Sequence, residues 1–149
     1  MAHELAPMGV ACGVDLVRVP AFQRVAERIG AKWFDVCFTR RELDCGCGIE
    51  GLAARFAAKE ATAKALGTGL LRGVGFHDIE VLRGDAGQPS LRLNGPAALA
   101  AASRGLTQWS VCITHEEGMA LAMVVATGER RRSAGGGIDG GKTGSAKPR

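Results

Sequence analysis

Two carboxylates and a lysine draw attention because each lies in apolar company. Asp15 stands between Val14 and Leu16 in the stretch 10–17, where a lone carboxylate is costly unless it is paired or holds a metal ion. Glu60 and Lys64 lie four apart in the alanine-rich segment 52–66, a spacing that stacks them on one helical face about 6 Å apart along the axis. Both continue the stripe begun by Phe56, which the helical period assigns to the buried side. Two readings stay open. In one, Glu60 and Lys64 are an exposed pair worth a few tenths of a kcal/mol and Asp15 bridges to Arg18. In the other, Asp15 and Glu60 hold a magnesium ion, which takes one or two protein carboxylates and fills its octahedron with waters and substrate phosphates. Lys64, Arg55 and Lys59 are then placed to neutralise a phosphate.

Other candidates carry less. His115 closes an alternating stretch at the rim of a sheet, where it is either a structural residue or one facing a ligand. Gly67-Thr68-Gly69 follows a helix, and the lysine precedes the glycines, so it is a helix stop and not a phosphate loop of the Walker kind. Cys45-Gly46-Cys47 lacks a second paired motif, which leaves it as a loop and not half of a metal site.

The elements that must position these residues follow from pattern. Residues 10–17 read as a buried strand, and 20–29 as a helix opened by Pro20 and stopped by Gly30. A short helix is expected within 33–43, with Thr39 and Glu42 spaced as a capping box. Residues 52–66 form the clearest helix, ended by Gly67. Residues 76–83 and 90–93 flank a turn cluster and read as a hairpin, 96–104 as a helix opened by Pro96, and 109–115 with 119–125 as a second hairpin. This order predicts an α+β fold with a mostly antiparallel sheet.

Composition sets the bounds. The 149 residues, 46% hydrophobic and 23% charged, suit one domain that needs no structural metal or disulfide. The longest apolar run, 119–126, is far short of a membrane span of roughly 20 residues. The net charge of +4 invites a nucleic-acid reading, yet residues 128–149 hold six basic and two acidic residues and so carry all of it. That glycine-rich segment is expected to be a disordered basic tail, 1–9 an extension, and 10–127 the domain. Neither nucleic acid nor membrane is an expected partner. Five cysteines without framework spacing suggest reduced thiols in the cytoplasm.

Five blocks in order resemble one family. They are Gly13-Val14-Asp15-Leu16-Val17; Phe38-Thr39-Arg40-Arg41-Glu42-Leu43; Arg55-Phe56-Ala57-Ala58-Lys59-Glu60-Ala61 with Lys64-Ala65-Leu66-Gly67-Thr68-Gly69; Asp78-Ile79-Glu80-Val81; and Ile113-Thr114-His115. The third is highly specific. Together, over roughly residues 10–126, they resemble the holo-acyl-carrier-protein synthases, the small trimeric group of 4'-phosphopantetheinyl transferases.

The resemblance implies the 4'-phosphopantetheinyl transferase-like fold. It also implies transfer of the 4'-phosphopantetheine arm of coenzyme A to a serine of an apo acyl-carrier protein, releasing adenosine 3',5'-bisphosphate. It makes Asp15 and Glu60 ligands of Mg2+, puts Lys64 on the pyrophosphate, and lines the coenzyme A cleft with Arg55, Gly67, Thr68 and His115. Glu60, Lys64 and His115 are the implied catalytic residues, and the serine proton passes to Glu60 or to a metal-bound water. Sites between subunits of a homotrimer are implied too. Val17 stands where the large two-lobed transferases carry another acidic ligand, which points to the small group. Arg18 and Arg24 are the candidates for docking the carrier, whether of fatty acid or polyketide synthesis. Two other classes remain as alternatives: an idle relative that binds coenzyme A or a carrier, and an unrelated metal-dependent phosphoester hydrolase.

Overall fold

The computed structural model describes residues 8–129. Strand β1 (Met8–Arg18) leads into three helices, α1 (Val19–Ile29), α2 (Ala31–Cys37) and α3 (Arg40–Leu43), and then into the long α4 (Ile49–Leu66). A single 3-10 turn (Phe76–Asp78) precedes β2 (Ile79–Arg83) and β3 (Pro89–Leu93), followed by α5 (Gly95–Ser103), β4 (Leu106–Glu116) and β5 (Met119–Glu129). All pairings are antiparallel, as the pattern predicted, but they form two sheets. One is three-stranded in the order β1-β5-β4, and the β2-β3 hairpin stands apart as the other.

Three local expectations change. The segment 33–43 contains two helices, because Phe38 is extended and interrupts the run, and the Thr39–Glu42 pair opens the second of them. Residues 76–78 turn before the strand starts, held by Asp78, whose carboxylate accepts from the Gly75 N–H at 2.7 Å. β5 runs past the expected boundary to Glu129, since Gly128 still pairs with Gly9 and Leu106. The expected extension 1–9 likewise gives up Met8 and Gly9 to β1, which pairs them with Glu129 and Gly128; the rest of that extension and of the tail 128–149 lies outside the described residues.

α4 crosses the inner face of the three-stranded sheet, and small residues set how closely. Ala57, Ala58, Ala61 and Ala65 are buried there, against Ala122, Val124 and Ala126 of β5. Gly13 of β1 is the tightest point: a Cβ on it would run into the carbonyl oxygen of Ala61 and lie 2.9 Å from the Ala65 nitrogen. Both are backbone atoms of a packed helix and cannot swing aside. Gly13→Ala is therefore expected to cost about 1–3 kcal/mol or more, measured by denaturant unfolding, and an unchanged midpoint would contradict this packing. The other end of the core is aromatic, with Phe22, Phe56 and Phe76 in a chain of ring contacts at 5.5 and 5.4 Å.

Candidate active site

The close approach at Gly13 delivers Asp15 to α4. Side chains alternate along β1, so Asp15 shares the helix-facing side with Gly13 and Ala11. There the Lys64 Nζ donates to Asp15 Oδ1 at 2.8 Å and to the Val14 carbonyl at 2.9 Å. Among the described residues neither sequence-level pairing occurs: Lys64 bridges to Asp15 and not to Glu60, and Arg18 makes no ion pair. The side chain of Asp15 is 18% exposed and that of Lys64 52%, so the pair sits at an open edge of the core.

Glu60, one turn before Lys64, is half-buried beside them. Burial pushes its carboxyl above the ordinary range, and the charge of Asp15 pushes the same way, with Lys64 opposing. The Lys64 ammonium serves Asp15, and among the described residues Glu60 makes no ion pair. An ion-binding site calls for this under-compensation, and the oxygen-only donor pair suits a hard cation such as magnesium.

One turn beyond Lys64, α4 ends at Gly67, whose left-handed φ of 72° closes the helix as the sequence indicated. The Arg104 guanidinium donates to the Ala65 carbonyl at 2.6 Å and steadies that end. Next in the turn is Thr68, whose hydroxyl oxygen is buried without a hydrogen-bond partner. Orphaned polar atoms of this kind are uncommon and cost free energy unless something else satisfies them.

Arg55 and His115 lie elsewhere. Arg55 precedes Lys64 by nine residues, two and a half helical turns, and so occupies the opposite side of α4. Its Nε donates to the Val81 carbonyl at 3.2 Å, and its Nη1 to the Gly51 carbonyl at 3.2 Å and the Cys47 Sγ at 3.0 Å. It lines a groove of about 450 Å³ together with Cys47, Arg83, Pro89, Ile113 and His115. His115 is exposed, with Nδ1 3.9 Å from the Glu50 carboxylate. Within one chain, then, the candidate residues form two groups: Asp15, Glu60 and Lys64 beside the Gly67–Thr68 turn, and Arg55 with His115 across the helix.

Lys59 belongs to neither group, contrary to its sequence-level role at a phosphate. It is fully buried, and its Nζ donates to Glu42 Oε2 at 2.8 Å and to the Phe76 carbonyl at 2.7 Å. Glu42 also accepts from the backbone N–H of Thr39 and of Val81, both at 2.9 Å. Burial pulls the Lys59 ammonium towards neutrality, while the Glu42 charge beside it holds the proton. This pair ties α3 and β2 to α4. Lys59→Met strands a buried carboxylate and is expected to destabilise the fold by about 3–5 kcal/mol, read by thermal or chemical unfolding; a loss below about 1 kcal/mol would contradict the pairing.

The sequence reading missed Glu42 as the buried partner, although the capping-box spacing marked it, and missed Arg83 and Cys47 in the groove wall. Arg24 lines a separate shallow hollow of about 710 Å³ along α1 with Arg28, Glu27 and Val25.

A family model described as the 4'-phosphopantetheinyl transferase superfamily matches residues 11–124, and the chain belongs to that superfamily. Its relatives there are holo-acyl-carrier-protein synthases. The one from Desulforudis audaxviator is 43% identical over 120 residues, which is 78% of this chain and 91% of the relative. The crystal structure of the Neisseria meningitidis synthase matches with a TM-score of 0.72 at 32% identity, covering 78% of this chain and 96% of that one. The Helicobacter pylori synthase, crystallised in complex with coenzyme A, matches with a TM-score of 0.70 at 26% identity, covering 77% and 98%.

Proposed function

We propose that this phosphopantetheinyl transferase moves the 4'-phosphopantetheine arm of coenzyme A onto a serine of an apo acyl-carrier protein, releasing adenosine 3',5'-bisphosphate. The observation that carries the residue assignment is the Asp15–Lys64 ion pair, one helical turn from the half-buried Glu60, at the open edge of the core. Asp15 and Glu60 hold Mg2+ in this reading, and such an ion supplies positive charge against the pyrophosphate. Lys64 spends two of its three donors on Asp15 and Val14, which leaves one for a pyrophosphate oxygen. The unpartnered Thr68 hydroxyl and the turn at Gly67 take their place along the coenzyme A cleft, with Arg55 and His115 as its cationic and imidazole contacts. In this reading the serine proton passes to Glu60 or to a water on the metal ion.

Arg55 and His115 lie across α4 from the carboxylates, so the complete site needs a second copy of the chain. The outer face of the three-stranded sheet supports a homotrimer: Val10, Val14, Leu16 and Met123 are 66%, 54%, 52% and 48% exposed, an apolar surface of the kind that subunits cover. Basic residues Arg18 and Arg24 at α1 suit an acidic carrier. The transferase domain in this reading runs from β1 through β5, two residues beyond the expected 10–127 at each end. A cytoplasmic setting belongs to it as well, supported by five free cysteines; among the described residues no helix is long and apolar enough to cross a membrane.

The test is the intact mass of apo acyl-carrier protein incubated with the protein, coenzyme A and Mg2+. A gain of one phosphopantetheine per carrier, lost when the carrier serine is replaced by alanine, is expected. Phosphopantetheine set free without a carrier would favour a hydrolase and overturn the reading.

A further inference from the structure

Beside the Arg55–His115 groove lie two sulfurs that transfer chemistry does not use, one of them in its wall. Cys45 and Cys47 lie in the loop between α3 and α4, with their Sγ atoms sharing a hydrogen bond at 2.8 Å. Gly46 makes the convergence possible: its φ of 66° lies in the left-handed region, and nothing stands within 4 Å of where a Cβ would be. Cys45 is exposed, whereas Cys47 is half-buried, lines the groove and accepts from Arg55 Nη1 at 3.0 Å.

We propose that Cys45 and Cys47 form a redox-active dithiol at the edge of the groove, closed to an intramolecular disulfide by exchange with a low-molecular-weight disulfide. The exposed Cys45 thiolate attacks one sulfur of the small disulfide and expels its first thiolate. Cys47 then attacks the Cys45 sulfur and expels the second. The two protein thiol protons end on the two small thiols released, so the protein loses two electrons to the small disulfide.

The two sulfurs have the chemistry for these unequal roles. Burial works to raise the Cys45 thiol, but the hydrogen bond with Cys47, the Cys47 backbone N–H and the charges of Arg55 and Arg83 outweigh it, leaving Cys45 below the usual thiol value. Burial, and then the bond to Cys45, push Cys47 up to about 11. The remaining cysteines lack such a neighbour: Cys37 is buried and pushed up to about 11 mainly by burial, while Cys12 and Cys112 lie on β1 and β4 with β5 between them.

Ring closure draws Cys47 towards Cys45 and removes one of the three anchors that hold the Arg55 guanidinium. This effect on Arg55 rests on the reading of the groove as a coenzyme A site. The loose guanidinium weakens the ground-state hold on coenzyme A, so KM rises while kcat is little changed.

The test uses the full-length protein in glutathione buffers of increasing oxidised fraction, quenched in acid and digested with trypsin. Residues 42–55 form one tryptic peptide that contains Cys45, Cys47 and no other cysteine. The expected result is loss of two hydrogen atoms from that peptide, reversed by dithiothreitol, with KM for coenzyme A raised on the order of threefold or more. Cys45→Ser is expected to keep the starting KM and to ignore the buffer. A peptide that stays reduced, or carries glutathione without closing, overturns the dithiol. A ring that forms while KM stays put overturns its link to Arg55. Arg55→Ala with unaltered KM would instead show that the groove reading had failed, and the peptide mass decides the dithiol either way.

Discussion

Replacing Asp15 or Glu60 by alanine is expected to lower the transfer rate on the order of 100-fold to 1,000-fold while the chain stays folded. Each change removes one of two carboxylates from a site that has no third: among the described residues no group of three or more His, Cys, Asp or Glu could hold a metal. Initial rates at saturating Mg2+ check it, and activity retained within about tenfold would refute the metal assignment. A second readout needs no activity. Burial and the Asp15 charge raise the Glu60 carboxyl in the folded protein, so its ionisation works against folding. In the absence of metal, stability should fall as pH rises from the ordinary carboxylate value through the raised folded value. Glu60→Gln should remove that loss and melt higher than the parent near neutral pH. Adding Mg2+ should raise the melting temperature of the parent and do little for the variant. A parent that melts identically with and without Mg2+ would count against the carboxylate pair as its site.

Much of this was legible in the sequence where local chemistry and tertiary packing agree. Alanine content and Gly67 mark α4 and its end, and the turn residues at 84–89 and 116–118 mark both hairpins. Of the three residues that stand out by polar type in apolar surroundings, Asp15 and Lys64 meet in an ion pair, with Glu60 one turn earlier on α4. What the sequence could not supply was partner choice between distant segments. Spacing within α4 favours Glu60 for Lys64, yet the close packing at Gly13 brings Asp15 nearer. Lys59 reads as a phosphate ligand because it shares the helix with Arg55 and Lys64, but its side chain enters the core to meet Glu42, seventeen residues earlier. Helical phase alone separates Arg55 from Lys64, although which of them faces a groove depends on the β2-β3 hairpin and β4. The break at Phe38 depends on packing as well, since its ring is buried beside the Lys59 ammonium, 5.4 Å from its centroid.

A site completed between copies of the chain can be rebuilt from two defective chains by mixed refolding. Asp15→Ala and His115→Ala chains, each nearly inactive alone, are unfolded together in equal amounts and refolded. A working site needs Asp15 from one chain and His115 from the next, which random assembly into closed rings supplies at about a quarter of the interfaces. The measurement is the rate at which apo acyl-carrier protein gains phosphopantetheine mass, in assemblies that native mass spectrometry shows to be mixed. Rescue to about a quarter of the parent rate is expected, far above either variant alone. If Asp15 and His115 served one site within the same chain, every site would lack one of them. No rescue in mixed assemblies would contradict the shared site.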